Sequence, residues 1–150
     1  MNGNFTQFNR RINFLLEETD AVYHEIAAGF GLPDSVMLIL YALEDAGGQM
    51  PLSAICRQTG ASKQTINSAL RRLEADGSIR LHMVDGKSKL VCLTQPGKAL
   101  AARTAGRVLA AENEIYASWS EDELQTYQRL MEKYLAALRE KQKELGEEPV

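Results

Sequence analysis

Residues 62–94, SKQTINSALRRLEADGSIRLHMVDGKSKLVCLT, decide the fold. Ser62 stands at an N-cap position, after Gly60 and Ala61 and before an apolar-periodic run. Ile66, Ala69, Leu70 and Leu73 recur at i, i+3, i+4 and i+7, one stripe along a helix. Gly77, after Glu74-Ala75-Asp76, suits the left-handed residue that ends such a helix. The period then changes from helical to two. Ile79, Leu81 and Met83 alternate with Arg80, His82 and Val84, Asp85-Gly86 signals a hairpin turn, and residues 89–94 return as a second strand.

Upstream, Pro51 starts a short helical stretch, Leu52 to Arg57, with Leu52, Ile55 and Cys56 on one face. Thr59-Gly60-Ala61 makes a tight turn into Ser62. Two short helices joined by a glycine-containing turn, followed at once by a hairpin, predict a winged helix-turn-helix. The outer face of the second helix carries Gln64, Asn67, Ser68 and Arg71, flanked by Lys63, Thr65 and Arg72. Asn and Gln pair with adenine edges, Arg with guanine, and Ser, Thr, Lys and Arg with phosphates. No acidic residue, which would repel DNA, lies between Ser62 and Leu73. Lys87, Ser88 and Lys89 lie at or near the hairpin tip, where a basic wing reaches the backbone or the minor groove. The expected contacts to double-stranded DNA are therefore Ser62, Lys63, Gln64, Thr65, Asn67, Ser68, Arg71, Arg72, Lys87, Ser88 and Lys89. Taken alone, the helix also reads as an ordinary amphipathic element with a polar outer face.

From residue 52 to residue 100 the chain resembles the MarR family of bacterial transcription regulators. The family pattern S-x-x-T is met by Ser62 and Thr65, and L-x-x-L-E-x-x-G-x-I by Leu70, Leu73, Glu74, Gly77 and Ile79. Asp85 matches the acid of the D-x-R wing, and Leu93, Thr94 and Gly97 match the closing L-T-x-x-G. The resemblance implies a homodimer that binds an inverted-repeat operator, usually as a repressor. It also implies that Asp85 orients the basic wing residue. The wing departs from the pattern: the family's minor-groove arginine is replaced by Lys87, which lacks the planar fork that suits both jobs.

The whole chain, 1–150, is expected to form a single domain of mainly α structure with a small β-wing, an α+β class. Residues from about 5 to 32 and 95 to 145 would form a dimerisation body, and about 33 to 94 the DNA-binding lobe. Helix 1 is predicted from Phe5 to Ala28 and helix 2 from Asp34 to Asp45, the latter apolar nearly all round. Thr94 caps a predicted helix that runs to about Trp119, with Pro96 in its first turn. Ser120-Glu121-Asp122-Glu123 reads as a capping box for a last helix whose end frays beyond Leu145. The outer helices carry more apolar face than a small winged helix covers. Phe8, Ile12, Leu15, Leu124, Leu130, Tyr134 and Leu138 are the expected dimer contacts.

The net charge of −3 is unevenly spread. Nine Lys and Arg stand against three acids from Arg57 to Arg103, a basic module of local charge +6 inside an acidic body. Distant acids are screened within about 10 Å at ordinary salt, so the local potential governs DNA approach. The longest apolar run, Val36 to Leu43, is too short to span a bilayer. The N-terminal stretch lacks the apolar core of a signal peptide, so a cytoplasmic protein without membrane contact is expected.

Regulators of the resembled family often bind a small aromatic or anionic molecule between dimer body and DNA-binding lobe. Tyr23, His24, Phe30, Tyr41 and Trp119 are the candidate lining, each also readable as core or surface. Cys56 and Cys92, the only cysteines, are expected to be buried and inert, Cys92 with some exposure. With two histidines and no Cys-x-x-Cys, Gly-x-Ser-x-Gly or phosphate-cradling loop, no metal, cofactor or catalytic activity is expected. The alternative function is a protein-interaction adaptor built on a winged helix. The face Gln64, Asn67, Ser68, Arg71 lacks the aromatic and Met anchors that protein interfaces prefer.

Overall fold

Helix α2 (Asp34–Asp45) is apolar on most of its circumference, and the core forms around it. The computed structural model describes residues 3–147. In chain order, α1 is Thr6–Gly29, β1 Gln49–Pro51, α3 Leu52–Thr59, α4 Lys63–Ala75, β2 Ile79–Val84 and β3 Ser88–Leu93. Then come α5 (Gln95–Arg103), α6 (Ala105–Ala117) and α7 (Glu121–Glu147). The fold is mostly helical with one antiparallel sheet of order β1-β3-β2, the α+β winged-helix class that the sequence predicts.

Two compact units divide within α6, after Leu109. In the first, Ile39, Leu40 and Leu43 of α2 are fully buried with Ile55 of α3, Ile66 and Leu73 of α4, Ile79 of β2 and Val91 of β3. Each element contributes one apolar stripe or one alternate strand face, the pattern that lets a short segment close a common core. The wing pairs Ile79 with Leu93 at its root and Val84 with Ser88 at its tip. Burial follows that axis: Ile79 and Leu93 are buried, whereas Met83 and Val84 are exposed.

Two features differ from the sequence expectation. Strand β1 is not evident from sequence, because Gln-Met-Pro has no alternation to read. It pairs with β3 as an edge strand, ending at Pro51, where a missing N–H is tolerated. The single helix expected from residue 94 to residue 119 is two helices, broken at Thr104 (φ −123°, ψ −90°). There the buried Thr104 hydroxyl donates to the Leu100 carbonyl at 2.7 Å, an i−4 back-bond that competes with helix continuation. Helix α7 runs to Glu147, and the tail expected to fray beyond Leu145 lies in part outside the described residues.

The second unit contains the rest of α6 and α7. Its capping box forms as the sequence predicts: the Ser120 N–H donates to Glu123 Oε1 at 2.9 Å and the Glu123 N–H to Ser120 Oγ at 3.1 Å. Trp119 packs edge-on against both Tyr116 and Tyr127, at 5.2 and 5.4 Å between centroids. No side chain of α7 is buried.

Two outcomes are expected. A Cβ on Gly97 would lie 1.8 Å from the Ser78 carbonyl oxygen, so Gly97→Ala must push α5 off the wing root. Overpacking against backbone should cost about 3 kcal/mol, read as a lower urea midpoint. An unchanged midpoint would mean that the contact relaxes freely. The Ser120 backbone N–H, and secondarily its hydroxyl, lower the Glu123 carboxyl below its ordinary range. A depressed acid adds stability above its unfolded value and loses it as pH falls through the folded one. Amide protection in the first turn of α7, taken relative to the intrinsic exchange rate at each pH, should therefore fall on acidification below the usual carboxylate range, and Glu123→Gln should flatten that response.

Candidate nucleic-acid interface

Helix α4 is fixed at both ends by its own sequence. At its start the Thr65 N–H donates to Ser62 Oγ at 3.1 Å, and the Ser62 hydroxyl donates to Thr65 Oγ1 at 2.8 Å. The S-x-x-T pair is thus a cap, and both hydroxyls are already engaged in it. At its end Gly77 takes φ +75°, the Ser78 N–H bonds the Leu73 carbonyl at 2.8 Å, and the Gly77 N–H bonds Glu74 at 3.0 Å. This is a Schellman motif, and it turns the chain directly into β2.

Between the caps, Ile66, Ala69, Leu70 and Leu73 are buried, so the opposite face must point outward. Lys63, Gln64, Thr65, Ser68, Arg71 and Arg72 are exposed, and Asn67 is half-buried. Among the described residues none of Lys63, Gln64, Asn67, Arg71 or Arg72 is held in a side-chain hydrogen bond or ion pair. These side chains remain available to a ligand.

The wing brings Lys87, Ser88 and Lys89 beside this helix. Asp85 (φ +56°) and Gly86 (φ +73°) supply the two left-handed residues of a tight turn, and the Lys87 N–H reaches back to the Val84 carbonyl. Asp85 and Lys87 form no ion pair. A groove of about 570 Å³ opens between α3, α4 and the wing. Leu52 and Cys56 line it, together with the polar residues Ser53, Lys63, Asn67, Lys87, Ser88 and Lys89. Ser53 is a site residue that sequence reading misses, because only the folded contact of α3 with the wing brings it there. Cys56 is half-buried at this groove rather than fully buried, since the groove opens over α3. Cys92 is half-buried on β3, its thiol 3.8 Å from Gln49 Oε1.

The residues predicted to line a ligand cleft are separately engaged. His24 Nδ1 lies 2.7 Å from Asp34 Oδ2, an exposed pair joining α1 to α2. The Arg107 guanidinium stacks on Phe30 at 5.5 Å. Tyr41 packs on the core, Tyr23 is exposed on α1, and Trp119 belongs to the second unit. Of the expected dimer contacts, Phe8, Ile12 and Leu15 on α1 and Leu130, Tyr134 and Leu138 on α7 are exposed, and Leu124 is half-buried. No group of three or more His, Cys, Asp or Glu able to hold a metal occurs among the described residues, and no single described helix is long and apolar enough to cross a membrane.

Comparison with known proteins agrees with this geometry. Residues 30–88 match the model of the MarR family. The chain is 28% identical over 130 residues to the HTH-type transcriptional repressor Rv2887 of Mycobacterium tuberculosis, covering 81% of this chain and 91% of the repressor. Its fold matches NMB1585, a MarR family regulator from Neisseria meningitidis, with TM-score 0.73 and 22% identity over 97% of this chain and 99% of the other. It also matches NadR, solved in complex with 4-hydroxyphenylacetate, with TM-score 0.64 and 14% identity over 89% and 96% of the two chains. The family model falls on the stretch from α2 to the start of β3, which includes the capped helix and the wing turn. The chain is thus similar, over residues 30–88 in sequence and over most of its length in fold, to MarR family transcriptional regulators.

Proposed function

We propose that this regulator is a cytoplasmic homodimeric repressor that binds an inverted-repeat operator and is released by a small molecule. The observation that carries the reading is the outer face of α4. It is capped at both ends and presents Gln64, Asn67, Ser68 and Arg71 without an acid among them. Seated in a major groove, Arg71 would grip a guanine edge, Asn67 and Gln64 would reach adenine, and Lys63 and Arg72 would hold phosphate. The repressor relative of M. tuberculosis supports the sign of regulation.

Dimerisation is supported by α1 and α7 separately. Phe8, Ile12, Leu15 and Leu16 are exposed on α1, and Leu130, Met131, Tyr134, Leu135 and Leu138 on α7. Spacings of three, four and seven residues place the α7 set on one helical face, as a helix that packs against another chain requires. A two-fold dimer presents two α4 helices to half-sites about one helical turn, some 34 Å, apart.

Release by a small molecule rests on NadR, whose complex contains an aromatic carboxylate. For this chain the same chemical class is the first to test. A ligand shifts the helix spacing only by binding one spacing better than the other.

Selection of random duplexes by the purified protein should enrich an inverted repeat with half-sites about 10 bp apart. Arg71→Ala should relax preference at one position per half-site, at a cost of about 1–3 kcal/mol. Leu130→Asp should give monomers by sedimentation and abolish operator binding. Absence of any enriched repeat, with retention of a defined protein partner instead, would favour the adaptor alternative.

A further inference from the structure

Three lysines face one groove from two directions. Lys63 comes from the first turn of α4, and Lys87 and Lys89 come from the wing. Strand register explains why Lys89 turns this way. Lys89 pairs with Met83 and lies two residues before the buried Val91, so it leaves the sheet on the face that packs on the helices. Ser53 of α3, Asn67 of α4 and Ser88 of the wing add neutral donors, and no acid lines the groove. Ammonium groups gathered around one concavity repel one another, and an anion placed among them removes that cost. Lysine is a compact point charge with three donors and no planar fork, which suits a phosphate oxygen better than a base edge.

We propose that this groove seats a single DNA backbone phosphate, held jointly by Lys63, Lys87, Lys89 and Ser53. The inference rests on the DNA-binding reading above and changes the part played by the wing. The wing clamps the backbone against α3 and α4 instead of reading the minor groove. Sequence preference then comes from α4 alone, and the wing contributes affinity to every duplex equally. The apolar patch of Leu52 and Cys56 beside the lysines excludes water from one side of the seat, which strengthens the charge–charge attraction there.

Shared occupancy has a quantitative signature. Each phosphate neutralised contributes about −0.9 to the slope of log affinity against log salt. If one phosphate serves all three lysines, the triple variant Lys63→Gln, Lys87→Gln, Lys89→Gln loses about 2 units of slope per dimer, and each single variant loses little, because the two remaining lysines still neutralise the phosphate. Three independent phosphate contacts would instead add up to a loss of about 5 units.

The experiment measures binding of the full-length dimer to its selected operator and to a scrambled duplex across a salt series. We expect the non-additive loss, with an unchanged operator-to-scrambled ratio. On the wild-type protein, one methylphosphonate moved along the operator should weaken binding at one backbone position per half-site. The triple variant should no longer feel that position. An additive loss, a falling operator-to-scrambled ratio or an unchanged slope in the triple variant would overturn the shared seat. If the triple variant behaves as wild type while Arg71→Ala still relaxes base preference, the groove inference fails alone. A wild-type protein that holds no duplex overturns both readings.

Discussion

The Ser78 carbonyl is the point on which the winged-helix lobe is built. The Schellman turn that ends α4 delivers the chain to Ser78, and the Thr94 N–H donates to this carbonyl at 3.0 Å. The Thr94 hydroxyl also bonds Gly77 O and caps α5 through the Gly97 N–H. Gly97 then passes so near the same carbonyl that a side chain at this position would overlap it. The end of the recognition helix, both strands of the wing and the start of α5 therefore meet within a few residues, 77–78 and 94–97. A wing rooted there cannot pivot without breaking the cap of α4 or that of α5. The L-T-x-x-G pattern is accordingly a mechanical requirement of the lobe, whatever the lobe binds.

That clasp leaves the far half of the wing free of the core. Ile79 and Leu93 are buried at the root, and Met83, Val84, Lys87 and Lys89 are exposed toward the tip. Position is thus set at the root and chemistry is displayed at the tip. The same division appears in α4, whose apolar stripe fixes its rotation and leaves the face with Arg71 uncommitted. Such a lobe can change its partner chemistry by surface substitution without changing its fold.

What was legible in the sequence was legible because its chemistry is local. Ser62 and Thr65 lie one turn apart, as do Ser120 and Glu123, and Gly77 and Asp85-Gly86 need φ above zero within a residue or two of their signal. The exposed apolar stripes of α1 and α7 were readable from apolar spacing alone. Strand β1 was not, because three residues carry no period and Met50 is placed by its pairing with Val91, forty-one residues later. The break at Thr104 was hidden for a related reason. A threonine in a helical run is ordinary, and it becomes a stop only where its hydroxyl is buried against the carbonyl four residues back. The basic groove joins the adjacent helices α3 and α4 to the wing tip further along the chain, so its lysines were visible individually and their convergence was not.

Convergence also explains how an acidic chain can present a basic face. Net charge describes the whole molecule, whereas attraction at the interface depends on charges within about one Debye length, roughly 10 Å at 0.1 M salt. The stretch from Arg57 to Arg103 concentrates nine cations against three acids. Of those acids, Glu74 and Asp76 lie at the C-terminal end of α4, away from Lys63 in its first turn. Acids in the α7 tail are partly spent on Lys141–Glu144 and Lys143–Glu140 pairs along one helix. The body can therefore stay acidic and discourage indiscriminate binding to polyanions, while the lobe stays basic only across the face that would meet DNA. Selectivity among polyanions would then follow from the arrangement of charge, with the total left near neutral.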